Sequence, residues 1–106
     1  MLRDAVREIE RAVRADERAR TRRQRARAEL SRAEEYAVEV EELLVLGRPA
    51  VPDTLMTEIR RFVRRHSRRM ARALGAEPAP ARLLDVLFDV QERIQERMTA
   101  AMARAA

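Results

Sequence analysis

The chain reads as an all-α fold: one very long N-terminal helix plus an antiparallel pair of shorter helices. Together they form a three-helix bundle or coiled coil, dimerised through the long helix. Three observations carry that expectation. Gly and Pro, the strongest breakers, all fall in two short clusters, Gly47-Arg48-Pro49-Ala50-Val51-Pro52-Asp53 and Gly75-Ala76-Glu77-Pro78-Ala79-Pro80. The stretches between them are rich in Ala, Arg, Glu and Leu, all good helix formers. Their apolar residues recur at helical spacing, and no stretch alternates as a strand would. Helices are expected over about 2–46, 54–74 and 80–105, with loops at 47–53 and 75–79, in a single domain of 106 residues.

In the first helix Leu2, Ile9, Leu30, Ala37 and Leu44 share one heptad position, which Asp16 and Arg23 interrupt. Three residues further on runs an unbroken line of small side chains: Ala5, Ala12, Ala19, Ala26, Ala33 and Val40. A seam with alanine at one core position lets a neighbouring helix approach closely. In the second helix Leu55, Ile59, Phe62, Val63, His66, Met70 and Leu74 mark one face. In the third, Leu83, Leu84, Leu87, Phe88, Val90, Ile94, Met98, Ala101 and Met102 do so. Gly47 and Gly75 stand where a helix C-terminus takes a left-handed residue, Asp53 or Thr54 where a second helix would be capped, and Pro80 suits a first turn.

Length gives an argument about association. A first helix of this size runs ~68 Å, and the shorter two only ~30–40 Å, at 1.5 Å per residue. Folded back, they reach only the C-terminal half of the first helix. The remaining arm carries Leu2, Val6, Ile9 and Val13 on one face, and such a stripe calls for a second chain. The expected partner is another copy of this chain, in a homodimer or higher oligomer.

Composition narrows the function. There are 23 basic and 18 acidic side chains, every basic one an arginine, with no lysine, asparagine or cysteine. A GC-rich coding sequence produces that bias without selection on function. Lack of cysteine excludes disulfides, zinc–thiolate sites and a thiol nucleophile, and suits a reducing compartment. No apolar run approaches a membrane span and Met1 does not open onto a signal-peptide core, so a bacterial cytoplasmic protein is expected, without a membrane partner. The net charge of +5 divides into +5 over 1–28, −5 over 29–46, +6 over 47–76 and −1 thereafter. Such alternation suits a self-pairing bundle.

The sharpest charged feature is Arg60, Arg61, Arg64, Arg65, Arg68, Arg69 and Arg72, spread over half the wheel of the second helix. Guanidiniums so crowded repel one another unless an anion lies nearby. The internal candidate is the acidic band Glu29–Glu42 on the neighbouring helix. The external candidates are an acidic protein and a polyanion, because arginine forks match carboxylate and phosphate oxygens. A second basic run, Arg18 to Arg27, points all around its helix, as a solvated stalk does. Nucleic-acid binding would be phosphate-directed, sequence-nonspecific and confined to low salt, because the interleaved aromatics of single-strand binders are missing.

Catalytic patterns are sparse. His66, the one histidine, lies on an apolar stripe and reads as a core or interface residue. No second histidine or cysteine completes a metal site, position 63 of a would-be Glu-x-x-His is valine, and two glycines make no phosphate loop. Neither a metal nor a cofactor is expected. The expected function is a non-enzymatic, homo-oligomeric interaction or regulatory module that binds an acidic protein.

A further reading comes from family resemblance. Leu2-Arg3-x-x-Val6-x-x-Ile9 resembles the opening of the all-helical chorismate mutases, with Arg20 at the spacing of that family's second arginine. The resemblance implies a dimeric enzyme in which arginines of the long helix grip a dicarboxylate. The chain departs from the family in having no lysine and in reading Asp53-Thr54-Leu55-Met56-Thr57 where Asp-x-x-Arg-Glu is expected.

Overall fold

The computed structural model describes residues 2–105, all-helical with no strand among them. Four helices follow in order: α1 (Leu2–Val45), α2 (Asp53–His66), α3 (Arg68–Leu74) and α4 (Pro80–Ala105). The particle is a rod of 68 × 23 × 21 Å, its long axis set by α1.

The helix ends follow from identifiable residues. α1 closes with paired reverse bonds, Arg48 N–H to the Leu43 carbonyl and Gly47 N–H to the Leu44 carbonyl, both 3.0 Å. This Schellman arrangement requires a left-handed residue at Gly47, whose φ is 68°. Pro52, not Asp53 or Thr54, occupies the cap position of α2 and offers no side-chain bond. Asp53 instead lies in the first turn, where a carboxylate complements the helix dipole. Pro80 opens α4 as expected for a residue without an N–H.

The helix expected over 54–74 is interrupted at Ser67, which is extended with φ −166° and ψ 126°. This one residue ends α2 and begins α3. Its N–H bonds the Val63 carbonyl at 2.9 Å, and its Oγ accepts the Met70 N–H at 3.4 Å. The chain then turns back, so that Arg60 Nη2 on α2 reaches the Gly75 carbonyl just past α3 at 3.4 Å. Arg82 of α4 donates from Nε to the Ala73 carbonyl at 2.9 Å, satisfying a second acceptor at the C-terminal end of the short helix. α2 and α3 are therefore a helical hairpin.

The core sits in the C-terminal half of α1. Ala33, Tyr36, Ala37 and Val40 are buried with Met56, Ile59, Phe62 and Val63 of α2, Leu74 of α3, and Leu83, Val86, Leu87, Val90 and Ile94 of α4. The main neighbour of α1 is α4 rather than α2. The two run antiparallel, since Arg104 near the end of α4 shares a groove with Ala12–Arg22 of α1. α4 thus occupies the alanine seam, Ala26 and Leu30 being partly buried along it. Every residue from 2 to 18 is exposed.

Candidate functional site: an arginine hairpin and an uncovered arm

The break at Ser67 redistributes the arginine face. Arg60, Arg61, Arg64 and Arg65 belong to α2; Arg68, Arg69 and Arg72 belong to α3, so no single half-wheel presents all seven. Six of them are exposed: Arg61, Arg64, Arg65, Arg68, Arg69 and Arg72. Arg60 differs. It is half-buried, spends Nη2 on the Gly75 carbonyl, and its Nε is buried without a partner. Its contact pins the hairpin, and it belongs to the scaffold rather than to the exposed patch.

The internal partner expected for these arginines is not engaged. Among the described residues, no ion pair joins Glu29–Glu42 to Arg60–Arg72. The packing supplies the reason: α4 takes the seam beside the acidic stretch, and the hairpin turns its arginines outward. Glu35 pairs along its own helix with Arg32 at 3.0 Å, and Arg32 lies 4.9 Å over the Tyr36 ring. Glu34, Glu39, Glu41 and Glu42 are exposed. One edge of the arginine patch carries both signs, since Arg69 shares a groove with Asp89, Glu92, Arg93 and Glu96 of α4.

Behind the patch lies a small buried cluster. Phe62 meets Tyr36 edge-on at 5.4 Å and His66 at 4.7 Å, joining α2 to α1. The His66 side chain is 2% exposed, and neither ring nitrogen has a hydrogen-bond partner. Glu29 stands 3.8 Å from Nε2. Burial pushes the imidazole below its ordinary pKa, Arg97 and Arg65 add to that, and only Glu29 opposes it. Burial thus favours the neutral ring, which packs against Phe62. Its position one residue before Ser67 places it at the hairpin turn.

The second uncovered feature is the arm of α1. Leu2 is 82% exposed, Val6 48%, Ile9 64% and Val13 50%. The two arginines singled out by the chorismate-mutase resemblance also lie on this exposed stretch. Arg20 is 4.0 Å from Asp16 on its own helix, and Arg3 is seventeen residues away, about 26 Å along the axis. Among the described residues, no three His, Asp or Glu are placed to hold a metal ion, and no helix is long and apolar enough to cross a membrane.

No protein-family model, curated protein or solved structure matches the chain.

Proposed function

We propose that the protein is a non-enzymatic, homo-oligomeric interaction module of the bacterial cytoplasm, in which the arm joins subunits and the α2–α3 hairpin receives an acidic protein. The observation that carries this reading is that the fold covers neither feature. Six arginines within twelve residues stand exposed and unpaired at one hairpin, and four large apolar residues stand exposed on one arm. Self-repulsion at the hairpin is relieved by bringing carboxylates to it, and apolar exposure on the arm by bringing a second helix.

The probes are poly-glutamate and duplex DNA, each fluorescently labelled, followed by anisotropy over a salt series. The expected result is tighter binding of poly-glutamate, lost in a variant with Arg64, Arg65, Arg68 and Arg69 changed to Gln and unchanged in melting temperature. Tighter binding of DNA, with an affinity falling steeply between 50 and 200 mM salt, would replace this reading with a phosphate-directed one. A variant that melts far lower would assign the arginines to the scaffold.

A further inference from the structure

α1 carries one heptad frame from end to end. Over its C-terminal half the seam is closed by α4: Ala33, Ala37 and Val40 are buried, Ala26 and Leu30 partly so. At Ala19 the seam is only half-covered, and beyond it lies open. The seam itself does not stop. Leu2 and Ile9 continue the large position, Ala5, Ala12 and Ala19 the small one, and Val6 and Val13 flank them. Where α4 ends, Arg104, Asp16 and the alanines Ala12, Ala15 and Ala19 line one groove. Its floor is small side chains, so a large one from outside would fit.

The pattern selects an orientation. A parallel pair of arms would set Leu2 against Leu2, Ala5 against Ala5 and Asp16 against Asp16, alternating crowded layers with empty ones and burying two like charges. An antiparallel pair sets each large position against an alanine. Registers with Leu2 over Ala12, Ala19 or Ala26 do this. Ala26 is already packed beneath α4. The Ala19 register would lay the incoming arm over the last turn of α4, where Arg104 shares a groove with Ala12–Ala19, and would set Asp16 in the seam over Ala5. We infer that two copies join in the remaining register, antiparallel, with Leu2 over Ala12 of the partner subunit and Ile9 over Ala5 of the partner subunit. The incoming helix then continues the track of α4 in the same direction. Its N-terminal end, the positive end of the helix dipole, meets the negative C-terminal end of α4.

This register rests on the reading of the arm as the self-association surface, and the experiment separates the two. The chain contains no cysteine, so single labels are straightforward. Spin labels are placed at the exposed positions Arg7→Cys and Arg14→Cys, and inter-subunit distances are measured by pulsed dipolar spectroscopy after light scattering has given the mass. In the inferred register residue 7 lies level with residue 7 of the partner subunit, so labels at 7 have almost no offset along the axis and labels at 14 one of about 21 Å. The expected result is a dimer in which the labels at 14 are clearly farther apart than those at 7. A dimer with equal distances at both positions is parallel and overturns the register while leaving the arm as interface. A monomer overturns both.

Discussion

The buried imidazole of His66 makes stability depend on pH in a way whose sign can be worked out. In the unfolded chain the ring protonates near pH 6.5, whereas in the folded chain its pKa is lowered, first by burial and then by Arg97 and Arg65. Between these two values the unfolded state holds a proton that the folded state does not, so stability falls as the pH drops below about 6.5. At about 1.4 kcal/mol per pH unit, the loss by pH 5 is at most about 2 kcal/mol. The variant His66→Met replaces the ring with an apolar side chain that does not titrate. It also removes two ring nitrogens that lack partners, so no large loss is expected at pH 7. Urea unfolding followed by circular dichroism, at one fixed protein concentration and at pH 7, 6 and 5, gives the comparison. The wild type should lose up to about 2 kcal/mol more than the variant across that range. Equal losses would show that the His66 ring does not set the acid sensitivity. A wild type that gains stability on acidification would show that Glu29, 3.8 Å away, outweighs burial.

Other consequences concern the turns. Ser67→Ala removes the hydroxyl that accepts the Met70 N–H and should cost about 1 kcal/mol in thermal or urea unfolding. Gly47→Ala should cost about 1–2 kcal/mol, because φ is 68° and a Cβ there meets nothing within 4 Å, leaving backbone strain as the only term. Leu87→Ala, at a position with no exposure in the first third of α4, should cost about 2–5 kcal/mol in the same assay. Chorismate incubated with the purified protein should show no change in absorbance beyond its uncatalysed rate; turnover abolished by Arg20→Ala would support the enzyme reading.

Much of the fold was legible because its signals are local. The helical stripes marked much of the buried faces, Ala33, Ala37 and Val40 of α1 and Leu83, Leu87, Val90 and Ile94 of α4, but Phe88 and Met102 of the α4 stripe are exposed, and the buried Tyr36 and Val86 lie on neither stripe. Gly47 and Pro80 marked helix ends through backbone conformations that few other residues accept. The break at Ser67 was not legible. Ile59, Phe62, Val63, His66, Met70 and Leu74 form a stripe that a straight helix would satisfy, and Met70 stands where the glutamate of a capping box would have given notice. Tertiary packing decides there: turning back lets Leu74 enter the core and brings Gly75 to Arg60. The same turn explains why the single arginine surface with an internal acidic partner that the spacing suggests does not form. Once α3 folds back and α4 takes the seam of α1, the acidic band and the arginines no longer meet, and Arg60 becomes a tie within the hairpin. Sequence spacing carries no information on which of two later helices lies beside the first.

Whether the exposed arm joins copies of this chain decides how the protein works. The most direct test is the solution mass by light scattering at micromolar concentration, for the wild type and for a variant with Val6→Glu and Ile9→Glu. The expected masses are twice 12.3 kDa or a higher multiple for the wild type, and 12.3 kDa with undiminished helicity around the core for the variant. A wild-type mass of 12.3 kDa would contradict association through the arm.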